Sequence, residues 1–431
     1  MDQYASYTDS LIPYVGLIPS HWKTVQNKRV MHKEKRICTS YAGQDIISLT
    51  MNGVVIRDLG AGGKMPTTFD GYQFVYPGEL LMCLFDIDVT PRCVGKVYNE
   101  GLTSPAYSSF VLHDNADLGF YYYYYLMLDH TKELLHLAKN LRHSLTEEQL
   151  GQIKVPLPPL SEQRAIAEFL EAKVAHIDSV IAEAKASIEE YKAWKASIIY
   201  EAVTKGLDPS VEMKDSGIEW IGEIPSDWKV CKTLYALSMP ITDGPHTTPE
   251  LYDDGIPFVS AEAVSCGKGK IAFDHIRGYI SEAFYNECCL KYIPQKNDIY
   301  MIKSGATTGR VSYVDTDIKF TIWSPLAVFR CNENRMYFKY LFYFLQSDAY
   351  QKQVQLGWTY GTQQNIGMRT LETLKVCLPP IDVQQNIATH LDNKCETIDG
   401  LIEEKELLIS DLEAYKKSLI FEVVTGKRKV V

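Results

Sequence analysis

The side chains with the most chemistry to offer sit in three short segments. Residues 303–310 read KSGATTGR, a glycine-rich stretch carrying Lys303, Thr307, Thr308 and Arg310. Residues 242–249 read TDGPHTTP, in which turn formers present His246, Thr247 and Thr248. Residues 27–36 read NKRVMHKEKR and set Lys28, Arg29, Lys33, Lys35 and Arg36 around a single acid. Cations and small hydroxyl donors on turns suit the phosphates and base edges of a nucleic acid. Each segment also has a structural reading, as a plain turn, a packed loop or a solvated charged face. Arg57, Lys64, Arg92, Lys96, Lys268 and Lys270 extend the candidate DNA-contacting set.

Signatures of catalysis are missing from the sequence. It has no GxxxxGK[ST] phosphate loop, no HExxH zinc helix, no GxSxG elbow and no Asn/Asp-Pro-Pro-aromatic stretch of an amino-methyltransferase. Residues 304–310 resemble a phosphate cradle but lack its Lys-Ser/Thr ending. The ten cysteines form no CxxC pair, and adjacent Cys288 and Cys289 cannot make a zinc corner, so they read as reduced structural thiols. No catalytic residue and no metal ligand is assigned. The opening MDQYASYTDS lacks the regions of a secretion signal, and no apolar run nears the roughly 20 residues of a membrane span. The expectation is a cytoplasmic chain without a membrane partner.

A net charge of −10 argues against nucleic acid only until it is mapped. Residues 24–154 carry 13 Lys and Arg against 14 Asp and Glu, and residues 230–375 carry 15 against 14. Those two large segments are neutral together, so all of the net acidity lies in the pieces between and around them.

Those pieces form an internal repeat. Residues 155–173, VPLPPLSEQRAIAEFLEAK, match residues 376–394, VCLPPIDVQQNIATHLDNK, at an offset of 221 that continues without a gap to KASIIYEAVT (195–204) and KKSLIFEVVT (416–425). A lead-in also recurs: DSLIPYVGLIPSHW at 9–22 and DSGIEWIGEIPSDW at 215–228. The paired prolines block a helix upstream, and Ser161 and Asp382 occupy equivalent N-cap positions. Beyond them, apolar residues fall at spacings of three and four, with Leu170, Ile177, Ile181 and Ile188 on one seam and Leu391, Ile398, Ile402 and Ile409 on its copy. A period near 3.5 predicts a coiled-coil seam, and Gly206 and Gly426 mark the helix ends. Two long helices in the same phase should pair with each other, antiparallel. The large segments hold short β-branched or aromatic runs, at 45–57, 79–85, 256–264, 298–303 and 310–315, bounded by turn residues. They predict α+β domains with a curved or barrel-like sheet. Tyrosines 121–125 could stack bases, but an aromatic stretch at 337–344 in the second copy favours a helix packed on the sheet.

With these motifs together, the chain is similar to the specificity subunits of type I restriction-modification systems. The paired helix openings, the IPSHW and IPSDW lead-ins, RHSLT (142–146), QQNIG (363–367) and DGPHTTP carry the resemblance, which covers essentially all 431 residues. It implies two target-recognition domains, each reading one half of a bipartite, asymmetric site in double-stranded DNA. It also implies two long helices that set the spacer and dock two adenine methyltransferase subunits, with endonuclease and translocase subunits joining the complex. S-adenosylmethionine, ATP and Mg would bind those partners and none of them this chain, which would be non-catalytic. The implied organisation is a lead-in with the first recognition domain (1–154), a long helix (155–206), a second lead-in (207–229), the second recognition domain (230–375), and a long helix with its tail (376–431). The recognition domains are the family's variable parts, so the candidate contacts above rest on charge and loop position alone. The alternative is the specificity component of a type IIB-like enzyme.

Overall fold

The computed structural model describes residues 3–60, 66–138, 143–360 and 364–430. In each repeat a strand, Lys154–Leu157 or Lys375–Leu378, runs through two prolines into a long helix, Leu160–Lys205 or Ile381–Val424. Both helices start one residue before the expected caps Ser161 and Asp382. The carbonyls of Pro159 and Pro380 accept the first helical bonds, at 3.0 Å, from the amides of Gln163 and Gln384. A proline just ahead of the first turn sacrifices no hydrogen bond, since no N–H is needed there. Gly206 and Gly426 close the helices at φ +79° and +69°, where a side chain would be strained.

The chain divides into two compact units, residues 1–185 with 406–431, and residues 186–405. Each unit holds one lead-in, one recognition domain, the first half of one long helix and the second half of the other. That combination is the antiparallel pairing expected of the seam. Leu170, Ile177 and Ile181 are buried with Leu419, Ile420 and Val423 in the first unit, with Ile409 at the margin. Ile188, Leu391 and Ile398 are buried in the second, and Ile402 is half-buried.

The recognition domains share a topology built from short strands. In the first, Met31–Glu34, Tyr107–Leu112, Leu80–Cys83 and Val94–Lys96 form an antiparallel sheet in that order. A second sheet orders Gly53–Ile56, Ile46–Thr50, Gly101–Thr103 and Gln73–Val75, with its middle pair parallel. The second domain repeats this with Thr242–Asp243, Leu326–Phe329, Ile299–Ile302 and Val311–Tyr313, and with Tyr279–Ile280, Ile256–Val259 and Thr321–Ile322, the last two again parallel. The α+β architecture expected of each domain is present, its strands divided between two small sheets. The run at 45–57 is a hairpin, with Met51-Asn52 as its two-residue turn and Gly53, at φ +102°, opening the returning strand opposite Thr50. The run at 256–264 leaves the strand after Val259 and becomes a helix at Ala261–Cys266.

The tyrosine run lies in the helix Leu118–Thr131, where Tyr121, Tyr124 and Tyr125 are fully buried and the Tyr121 hydroxyl donates to the Pro156 carbonyl at 2.9 Å. These rings are core and not a platform for bases. The helix Phe338–Gln346 fills the same role in the second domain, with Tyr340 donating to the Val203 carbonyl at 2.9 Å. Among the described residues, no helix is long and apolar enough to cross a membrane.

Candidate nucleic-acid interface

Each recognition domain is fastened to its long helix by the same buried amide. Gln163 accepts from the Asp117 amide (2.8 Å) and donates to the carbonyls of Asn115 (3.0 Å) and Pro158 (2.8 Å). Gln384 accepts from the Tyr337 amide (2.8 Å) and donates to those of Arg335 and Pro379 (both 2.9 Å). Both side chains are wholly buried and fully used, so each aromatic helix starts at a fixed point on a long helix. Two turns further on, equivalent acids add a charged tie: Glu171 to Lys96 at 3.0 Å, and Asp392 to Lys339 and, at 2.8 Å, the Tyr343 hydroxyl.

These ties settle the placement of several candidate cations in the first domain. Lys96, only 9% exposed, is held between Glu171 and the rings of Tyr98 and Tyr122. Arg92 donates to the Val94 and Met51 carbonyls (3.1 and 2.8 Å) and to the Tyr122 hydroxyl (2.5 Å). Both are structural cations, not the exposed contacts expected from their sequence positions. The basic run 27–36 is also partly neutralised: Lys33 pairs with Glu147, and Arg36 bonds Glu79 at 2.6 Å. Lys28, Arg29 and Lys35 stay exposed or partly exposed, and Arg57 is half-buried. Lys64 lies outside the described residues.

In the second domain the loop after strand Thr242–Asp243 presents His246, Thr247 and Thr248 to solvent. The glycine-rich stretch is not a free hairpin. Its Gly305 amide donates to the Gln364 carbonyl at 3.0 Å, and the Thr308 hydroxyl turns inward to the Gly305 carbonyl at 2.7 Å. Thr307 is half-buried, while Arg310 is exposed beside a cleft of about 320 Å³ lined by Ser265, Gly269 and Gln351. Lys268 and Lys270 are exposed but engaged, with Glu403 and, at 2.9 Å, with Asp315.

Lys303 is 13% exposed and points to Asp243 (Nζ to Oδ2, 3.2 Å), correcting its expected role as a free cation on a hairpin. Asp243 is not among the residues singled out by sequence, nor is Lys291, its second partner. The signal for Asp243 is its place ahead of Gly244-Pro245; Lys291 has none, since it comes from a distant turn. Burial pushes the Asp243 carboxyl up, but Lys291 and Lys303 outweigh burial and hold it below the usual carboxylate range.

Comparison with known proteins agrees with this architecture. The family described as Type I restriction modification DNA specificity domain matches residues 93–190 and 246–408. Two specificity subunits of Methanocaldococcus jannaschii type I restriction enzymes, MjaX (putative) and MjaVIII, are 29% and 26% identical over 317 and 282 residues. Those alignments cover 72% and 64% of this chain, and 68% and 63% of the relatives. The EcoBI specificity subunit of Escherichia coli is 22% identical over 293 residues, 66% of this chain and 60% of its own length. A chain solved in a study of complex assembly and conformational transition of the type I R-M system superposes with a TM-score of 0.70 at 16% identity, covering 94% of this chain and 98% of that one. The HsdS subunit from Thermoanaerobacter tengcongensis gives 0.52 at 16% identity, with 95% and 98% covered. The structural likeness establishes the fold, the type IIB-like alternative is not favoured, and with the profile matching more than half of its residues, the chain belongs to the type I restriction-modification DNA specificity family.

Proposed function

We propose that this chain is the DNA-reading specificity subunit of a cytoplasmic type I restriction-modification complex. Each recognition domain reads one half of a bipartite, asymmetric site in double-stranded DNA, and the long helices set the separation of the halves. The helices also dock two adenine methyltransferase subunits, and endonuclease and translocase subunits complete the assembly. S-adenosylmethionine, ATP and Mg act on those partners, and this chain performs no bond-making step. The observation that carries the reading is the repeated clamp: Gln163 and Gln384 make the same three bonds, yet the domains they hold differ in sequence. Two unlike readers on matched mounts recognise two unlike half-sites.

Mapping methylated adenines in cells that express the chain with its methyltransferase tests this. A single bipartite asymmetric motif is expected. Exchanging residues 24–154 for those of a relative should then change one half and spare the other. A contiguous motif, or both halves changing together, would refute independent readout.

A further inference from the structure

The segment TDGPHTTP buries one acid and surrounds it with more positive charge than the acid needs. Asp243 is 1% exposed. Lys291 pairs with its Oδ1, while its Oδ2 has no hydrogen bond and only charge contacts, with Lys303 at 3.2 Å and His246 Nε2 at 3.3 Å. A buried carboxylate is compensated by about one cation. Two lysines on one acid leave a surplus of one charge, and the more exposed of them, Lys291, faces outward with His246 beside it. His246 is 73% and Lys291 50% exposed, and the hydroxyl-bearing Thr247 and Thr248 beside them are exposed as well.

The backbone under this group is fixed. A Cβ at Gly244 would overlap the Ile322 carbonyl, so only glycine can follow Asp243 here. The Pro245 carbonyl then accepts from the Ser324 amide at 3.2 Å, pinning the loop to the strand Thr321–Ile322 and its following turn. A rigid base, a tethering acid and outward cations next to small hydroxyl donors form an anion receptor of the kind a phosphodiester fills.

We propose that Asp243 is a positioning residue that holds Lys291, Lys303 and His246 as an anchor for one backbone phosphate of the DNA bound by the second recognition domain. This rests on the DNA-reading function proposed above. Lys291 and His246, the exposed members, touch the phosphate; Lys303, 13% exposed, backs the acid from inside, and Asp243 acts by fixing where the outer two stand.

The test uses the full chain assembled with its methyltransferase subunits. Two duplexes of equal length are compared by fluorescence anisotropy over a salt series, one carrying the mapped site and one scrambled. Lys291→Gln should weaken both duplexes several-fold and make the salt dependence shallower by about one counterion, and Lys291→Arg should restore it. Asp243→Asn adds a positive charge but frees the lysines. The scrambled duplex should bind as well or better while the specific one weakens, so the ratio of the two affinities falls about tenfold. That opposite response is what a purely structural acid would not produce, since loss of fold lowers both affinities and the melting temperature together. Should Asp243→Asn fail to fold, Lys291→Gln and His246→Gln, at exposed side chains, carry the test. Unchanged affinity and salt slope in both would overturn the anchor. If the wild-type complex itself fails to distinguish the duplexes, the DNA-reading function falls first; if it distinguishes them and the variants do nothing, only the anchor falls.

Discussion

Lys195 Nζ lies 2.7 and 2.6 Å from the two carboxylate oxygens of Asp399, an ion pair between the two long helices. Lys416 and Asp178 repeat it at 2.5 Å, and each residue of the second pair is 221 positions from its counterpart in the first. Lysines that break the apolar period at 195 and 416 therefore sit opposite acids, which makes the seam favour antiparallel pairing.

Because all four side chains are partly exposed, each pair should contribute modestly. Double-mutant cycles with Lys195→Met and Asp399→Asn, read by denaturant unfolding, should give a coupling of about 0.5 kcal/mol that shrinks in high salt. The charge swap Lys195→Asp with Asp399→Lys should recover most of it. A coupling unaffected by salt would mean the pair acts through packing instead.

Leu11 adopts φ +58° at the lead-in position where the second copy has Gly217, at φ +72°. Both serve the same turn, closed by Ser10 and Ser216 amides donating to the Gly16 and Gly222 carbonyls at 3.0 and 3.1 Å. A leucine in the left-handed region is strained, and Leu11 is exposed, so little packing is lost on replacement. Leu11→Gly should raise stability by up to about 1 kcal/mol, the relief of strain being partly offset by glycine's greater freedom when unfolded. A lower melting temperature would show that the side chain is needed where it stands.

These cases show what is legible in the sequence. The repeat, the long helices, their seam and their glycine ends follow from period and position, which local chemistry dictates. The helix start is displaced by one residue from the expected cap because a proline carbonyl can start a helix as well as a serine hydroxyl can assist it. The candidate contacts are less legible. Lys96, Arg92 and Lys303 look like surface cations in a sequence, and what neutralises or confines them is Glu171, the Tyr122 ring and hydroxyl, or Asp243, residues brought near only by folding. Asn52-Gly53 is a turn signal, but it is easily overlooked inside a run of β-branched residues that reads as one strand.

Trp194 and Tyr415 are another matched pair at an offset of 221, and both stay about half exposed, at 48% and 49%, on the long helices. Large exposed aromatics are where binding energy concentrates, and Leu408, one heptad before Tyr415, is exposed as well. If the helices dock two copies of one partner, Trp194→Ala and Tyr415→Ala should each weaken one methyltransferase contact by about 2 kcal/mol, roughly 30-fold. Native mass spectrometry should then find one methyltransferase retained in each single variant and none in the double. Stability of the isolated chain should hardly move.

Acid should test the Asp243 cluster separately from DNA. Its carboxyl titrates below the ordinary aspartate value of 3.8, so its charge contributes stability above that value, and the contribution is lost as pH falls through the lowered folded value. The stability difference between wild type and Asp243→Asn should be flat from neutral pH to about 5 and shrink only below about 4. A difference that disappears well above pH 5 would mean that the Asp243 carboxylate charge is not what the cluster depends on.

The first long helix runs without a break through residues 184–187, which offers a test of the spacer. Four helix-forming residues inserted there lengthen the rod by about 6 Å and rotate the downstream half of the helix by roughly 40°, so that the apolar seam survives as a stutter. On B-form DNA about 6 Å is at most about two base pairs, at roughly 3.4 Å each, and fewer if the unaltered partner helix restrains the change. The expected methylation motif keeps both half-sites and gains one or two base pairs between them. Lys195 and Asp399 would no longer be in register, so some loss of stability accompanies the change and sets how much of the variant remains assembled. An active insertion variant that methylates the original spacing would mean that the separation of the half-sites is set elsewhere, by the recognition domains or by the partners they recruit.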